Sequence, residues 1–248
     1  MRKMVIRGPQ ARFASKSRVG PFVRIRRHTR KACSMELDSY SQPSSPNTHV
    51  GDDGSATPDR ECSFFSSPVQ NVRPVKTVGI KDVYNYITLY MPAIKHTHTL
   101  RSLHDATEAR KYKACNFDFV CFSGTFSYRA DNALIKHSGL LCLDFDHVGT
   151  GDALWTLRRK LIADPYFTTW LLFTSPSGDG LKWVIDIDLG RCDHSTWFKA
   201  VRNYIMATYR HEVDKQCANI SRSCFLPHDS SCYVHPSIII TNKDICPF

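Results

Sequence analysis

The chain has 248 residues, a formal net charge of +10 and a hydrophobic fraction of 42%, which suits one large or two small globular domains. No stretch nears the ~20 consecutive apolar residues of a membrane span, so a membrane-embedded class is excluded. A uniformly basic nucleic-acid binder is excluded too: eleven of the 33 Lys and Arg fall in residues 1–31, and residues 32–248 carry 22 bases against 23 acids.

Residues 1–70 show no hydrophobic periodicity. The first 31 are basic and free of acids, and 39–70 are rich in Ser, Pro, Asp, Gly and Asn, a disordered composition. The basic arm reads as a solvated tail, a grip on nucleic-acid backbone, the product of an upstream start codon, or an Arg-rich transit peptide. Structure is expected from about Pro74, in one α/β domain spanning 72–248. The spacing of Val83, Ile87 and Tyr90 predicts a helix over 81–91, stopped by Pro92, and a second helix is expected over 100–113. Residues 117–122 read as a strand, followed by a turn at Ser123 and Gly124. The apolar run from Gly139 to Asp146 is a second strand, and Ala153–Ala163 a helix with Leu154, Leu157 and Leu161 on one face. Strands are expected over 168–173 and 181–187, a helix over 195–209, and a last short strand over 222–226. Ten cysteines form no C-x-x-C pair, several lie in apolar runs, and no apolar h-region follows the N-terminus. A reducing, cytoplasmic compartment is therefore expected.

Asp144 and Asp146 carry the most chemical information. Residues two apart on a strand share a face, so two carboxylates project together from the end of an apolar strand. Unpaired, they repel each other and resist desolvation, and a divalent cation relieves both penalties. Hard oxygens suit Mg²⁺ or Mn²⁺. The alternative is an exposed strand end with two solvated acids. A rival pair, Asp186 and Asp188, has the same spacing but lies at the far end of a strand leaving the next motif.

That motif is Ser175-Pro-Ser-Gly-Asp-Gly-Leu-Lys182. Ser177, Gly178 and Gly180 can turn backbone N–H groups towards an anion, Ser175 and Ser177 add hydroxyls, and Lys182 adds a charge. It lacks the Walker spacing, and a plain hairpin turn is the alternative. Asp214 and Arg222 follow in a further polar segment, the arginine suited to a phosphate, with an exposed acid and a surface ion pair as the alternative. Cys224, His228, Cys232 and His235 lie close together, but their spacing matches no usual zinc module.

In order, Phe122-Ser-Gly-Thr-Phe-Ser-Tyr-Arg129, Lys136-His-Ser-Gly-Leu-Leu-Cys-Leu-Asp-Phe-Asp146, Ser175 to Lys182, Asp214, and Arg222-Ser-Cys-Phe-Leu-Pro-His-Asp229 resemble the BT4734-like, or VirE N-terminal, domain of Bacteroidetes and their mobile elements. The resemblance covers about residues 72–240. That family is placed in the archaeo-eukaryotic primase superfamily. The resemblance implies an α+β primase-polymerase catalytic core, an RRM-like sheet with flanking helices. It implies template-directed nucleotidyl transfer, with Asp144, Asp146 and Asp214 as catalytic ligands of two divalent ions. Ser175, Ser177, Gly178, Gly180, Lys182 and Arg222 would bind the nucleotide. Lys182 stands where many primases have histidine, as is usual in this branch. Implied partners are nucleotide triphosphates and single-stranded or primed DNA, with a helicase supplied in trans, since relatives often continue into a helicase-like domain and this chain ends at Phe248. A non-catalytic nucleic-acid or nucleotide-binding module and a metal-dependent nuclease are the competing readings.

Overall fold

A computed structural model describes residues 60–239. The basic arm and the segment up to residue 59 lie outside the described residues, and so do the expectations that fell on them. The fold is mixed α/β, built from antiparallel sheets with helices packed on them.

The sheet that carries the site contains β6 (Leu140–Phe145), β7 (Thr169–Thr174), β8 (Leu181–Asp186) and the two-residue β10 (Tyr233–Val234), in the order β10-β7-β8-β6. Every neighbouring pair is antiparallel, so β6 and β7 run the same way on either side of β8. Both faces of this sheet are covered, which explains why its strands read as near-continuous apolar runs and not as alternation. Leu141, Leu143, Phe145, Trp183 and Ile185 face α4 (Asp152–Ile162) and α5 (His194–Tyr209), whose Leu157, Leu161, Trp197, Val201 and Ile205 fill the layer. The opposite face carries Leu140, Val184 and Phe173 against a second sheet and α1 (Ile80–Leu89).

That second sheet has the order β2-β1-β3-β9, from β1 (Cys62–Phe65), β2 (Lys76–Val78), β3 (Phe119–Cys121) and β9 (Cys224–Phe225). β1 corrects the expected start of structure near Pro74. All four of its residues are buried, and it pairs with β2 on one side and β3 on the other. Four residues among Ser, Pro and Asp are too few to leave a periodic signal, yet Phe65 stacks on Phe119 with ring centroids 4.9 Å apart. A hairpin of β4 (Gly124–Phe126) and β5 (Leu134–His137) also went unforeseen. Gly124 lies in its first strand, where a Cβ would sit 2.1 Å from the Lys136 carbonyl, and is not simply the turn that composition suggested.

The two expected helices before residue 117 are three. α2 (Met91–Ser102) starts where α1 was expected to end, with Pro92 in its first turn, a place where a missing N–H costs nothing. The helix expected over 100–113 is broken by Asp105, whose carboxylate accepts from Glu108 N at 2.7 Å and caps a new helix, α3 (Ala106–Asn116). A terminal turn, α6 (Pro236–Ile239), follows β10. No described helix is long and apolar enough to cross a membrane.

Candidate metal and anion site

β6 holds Cys142 and Asp144 on the face turned towards the second sheet. Asp144 lies opposite Lys182 on β8 in register, and Cys142 opposite Val184. Asp146 follows one residue beyond the strand, where His147 takes a left-handed φ of 54° and ends it. Asp214 arrives from a different part of the chain. It follows α5 and a left-handed Arg210, and its N–H donates to the Asp144 carbonyl at 2.9 Å. The free edge of β6 thus docks the segment that carries the third acid. A 3₁₀ turn, Lys215–Ala218, begins there, and Asp214 caps it by accepting from Gln216 N at 3.0 Å.

The three acids converge. One carboxylate oxygen from each of Asp144, Asp146 and Asp214 lies within 4.8 Å of the other two. Asp144 is 8% exposed, Asp214 is half-buried and Asp146 is exposed. Asp144 Oδ2 is in contact with Lys182 Nζ, while Asp144 Oδ1 is buried with no hydrogen-bond partner. A buried carboxylate oxygen without a donor is costly, and a cation bound by the carboxylate would relieve that cost. Oxygen donors and a tight triad therefore fit a hard divalent ion, and the three acids can hold one. Arg222 donates to Asp214 Oδ2 at 2.6 Å and also contacts Gln216 Oε1. The cleft between the sheets is lined by Asp144, Lys182, Arg222, Cys142, Cys224 and Ser123, among others.

The Ser175–Gly180 turn closes the β7–β8 hairpin against the end of β6. A Cβ on Gly180 would lie 2.3 Å from the Phe145 carbonyl, so only glycine permits this approach. Gly178 has φ +89° and sits against Arg101 of α2. Inside the turn, Gly178 N donates to Ser175 O at 3.0 Å and Gly180 N to Ser175 Oγ at 3.1 Å. Ser175 is buried, with its hydroxyl 3.0 Å from that of Ser177, which donates to Asp179 at 2.5 Å. Asp179 also receives His147 at 2.9 Å. Burial works to raise Asp179, but the bonds from Ser177 and His147 outweigh it and hold the carboxyl below its usual range. The glycine amides and the serine hydroxyls are thus engaged within the turn, while Lys182 and Arg222 aim their charges at the acids.

Several contributors had no signal in the sequence. Arg101 donates to the carbonyls of Ser175 and Pro176, both at 3.2 Å, and pins the turn; burial lowers its pKa. Lys113, in the last turn of α3, is lowered first by burial and then by Lys182 nearby, against Asp146. Neither helix shows a basic stripe that would mark these two. His137 accepts from Gly139 N at 2.9 Å through Nδ1, which leaves its proton on Nε2, 3.2 Å from His194 Nδ1. His194 Nε2 in turn lies 3.4 Å from the Cys217 carbonyl, within the turn that follows Asp214. Burial and the neighbouring His194 push His137 down to about 4, and burial lowers His194 despite Asp131 and Asp193.

Other candidates are not brought together. Asp186 pairs with Arg60 at 3.5 Å and stands opposite Leu140, at the other end of β6 from Asp144. Asp188 accepts from Gly190 N at 2.9 Å. His228 Nδ1 lies 2.9 Å from the Ile87 carbonyl, His235 Nδ1 lies 2.7 Å from Ser237 Oγ, and Cys224 faces Cys142. Among the described residues Cys224, His228, Cys232 and His235 form no metal-ligand group.

Residues 112–234 match the model of a family described as BT4734-like, N-terminal domain. The matched stretch is just under half of the chain and contains the three acids, the glycine turn, Lys182 and Arg222. The match supports assigning this part of the chain to that family. No curated protein and no solved structure matches the chain.

Proposed function

We propose that the domain carries out metal-dependent nucleotidyl transfer, as a primase-polymerase acting on nucleotide triphosphates along single-stranded or primed DNA in a bacterial or mobile element. The observation that carries this reading is the triad: three carboxylates from two distant segments, one with an orphaned buried oxygen, flanked by two cations. The family match adds support. So does the order of elements in this sheet, β6-α4-β7-β8-α5 and then β10, which follows the β-α-β-β-α-β order of ferredoxin-like and RRM-like sheets, although β9 of the second sheet intervenes before β10 and β10 joins beside β7 and not beside β6.

In this reading Asp144, Asp146 and Asp214 hold two Mg²⁺ or Mn²⁺ ions when loaded. Such ions supply a lowered pKa for an attacking hydroxyl and neutralise charge on polyphosphate. Lys182 and Arg222 leave their carboxylate partners and turn to phosphate oxygens, Arg222 with a fork suited to bidentate contact. Ser175, Ser177, Gly178 and Gly180 hold the turn in shape beside them. Positioning and fixed charge then account for most of the rate. A reducing, cytoplasmic setting and a helicase supplied in trans belong to the same proposal.

Primer extension with Mn²⁺ tests it. Asp146→Asn and Asp214→Asn are expected to lower extension at least ~100-fold, in line with the loss of a key electrostatic group. Extension that survives both substitutions together removes the proposal. A second reading, nucleotide or nucleic-acid binding without chemistry, draws on one observation: Lys182 and Arg222 already pair with two of the acids. It expects metal-independent binding and no product. Monophosphates or nicks would indicate a nuclease instead.

A further inference from the structure

The cleft wall holds two thiols that the proposed chemistry does not use. Cys142 is on β6, two residues before Asp144 and on the same face; Cys224 is on β9, two residues after Arg222. Their Sγ atoms are 3.9 Å apart, and both line the cleft. Eighty-two residues separate them along the chain, and their strands belong to different sheets with no ladder between them. Cys142 is half-buried and Cys224 is 6% exposed, so the cleft offers their route to a small oxidant. The Cys142 thiol points its hydrogen at the Cys224 sulfur, so the two groups are in direct contact within the cleft. Two thiols in contact within one cleft are placed so that a sulfenic acid formed on one is resolved by the other.

We infer that Cys142 and Cys224 are a peroxide-oxidisable pair whose disulfide clamps β6 to β9 across the mouth of the acid site. The thiolate of Cys224 attacks hydrogen peroxide, giving a sulfenic acid and hydroxide. The sulfur of Cys142 then attacks the sulfenic sulfur as its own proton departs, forming the S–S bond and expelling a second hydroxide. The two thiol protons convert the hydroxides to two waters, so the thiols lose two electrons and the peroxide gains them. Bond formation draws the sulfurs together from 3.9 Å to ~2.05 Å. Asp144 and Arg222 lie two residues from the bridge, and Arg222 grips Asp214. The clamp therefore narrows the cleft and shifts two ligands of the triad. This inference stands on the thiol geometry and does not need the polymerase reading.

The test is peroxide titration of the full chain, followed by non-reducing peptide mapping and by Mn²⁺ binding before and after. The expected result is one dominant cross-link between the Cys142 and Cys224 peptides, reversed by dithiothreitol, with Mn²⁺ affinity lowered at least tenfold in the oxidised form. Cys142→Ser and Cys224→Ser each abolish the cross-link and the peroxide-dependent loss. A dominant cross-link at any other pair, or no cross-link between Cys142 and Cys224 before Cys121 and Cys217 react, overturns the inference. An intact cross-link that leaves Mn²⁺ affinity unchanged overturns the clamp. A reduced protein that binds no Mn²⁺ contradicts the metal site, while the peptide map still decides the thiol pair.

Discussion

At Asp144 two demands meet on one side chain. One oxygen is satisfied by Lys182 and the other is not, and both side chains are about nine-tenths buried. Breaking a buried ion pair leaves an uncompensated charge and costs about 3–5 kcal/mol. Asp144→Asn keeps an acceptor oxygen, so a loss near the low end is expected in urea unfolding, together with loss of Mn²⁺ binding. Asp146 is the cleaner probe of metal, since it is exposed and has no ion-pair partner among the described residues. Asp146→Asn should leave the urea midpoint nearly unchanged and still weaken Mn²⁺ binding at least tenfold. A normal Mn²⁺ isotherm in that variant would show that the triad does not act as one site. The Asp144 and Asp146 spacing was legible because side-chain parity on a strand is a local property. The Lys182 partner was not, because it depends on the β6–β8 register, which no local window contains.

Individual elements are held in register by polar contacts at their ends. Gly180→Ala would push a methyl group into the Phe145 carbonyl, and a cost of about 1–3 kcal/mol with reduced extension activity is expected. Asp229 ties the same hairpin from the other side. It accepts from Thr174 N at 2.7 Å and pairs with buried Arg158 at 3.4 Å. Asp229→Ala should lower stability by about 3–5 kcal/mol, measured by urea unfolding, as expected for a buried pair broken on one side. The His137–His194 relay links β5 and α5 to the turn after Asp214 and gives a pH signature. Folded His137 stays neutral down to about pH 4, whereas an unfolded histidine titrates near 6.5. Between those values the unfolded chain binds the extra proton, so stability falls as pH drops from about 6.5 to about 4. Asp179 and Asp193, held below their ordinary range, lose their contribution only at still lower pH. Urea midpoints across this window should fall less steeply in His137→Asn than in the wild type; equal slopes would show that the relay does not govern them. The strands and helices around the site were readable because apolar runs bounded by glycine, proline and capping acids mark them. β1 and β4–β5 were missed because three- and four-residue strands gain their stability from neighbours distant in sequence.

Taken whole, the molecule brings its chemistry to the seam between two sheets. β6 offers its free edge to the Asp214 segment, the β7–β8 hairpin folds its glycine turn onto the end of β6, and the segment leading into β9 carries Arg222. The composition of the sequence indicated one α/β body, and the family-like motifs marked the acids and the turn. The stacking of one sheet on the other was invisible, because it is carried by residues such as Phe64, Val120 and Cys224 that look like any other core positions. The account depends on the seam being a place where acids collect a cation and basic side chains then turn to phosphate. Crystals soaked with Mn²⁺ and a nucleotide triphosphate test this most directly through manganese anomalous scattering. The expected map has a manganese peak bonded to Asp144, Asp146 and Asp214, with the triphosphate contacting it and reaching Lys182 and Arg222. A map with manganese elsewhere, or with the Lys182–Asp144 and Arg222–Asp214 pairs closed and the nucleotide bound away from them, would contradict it.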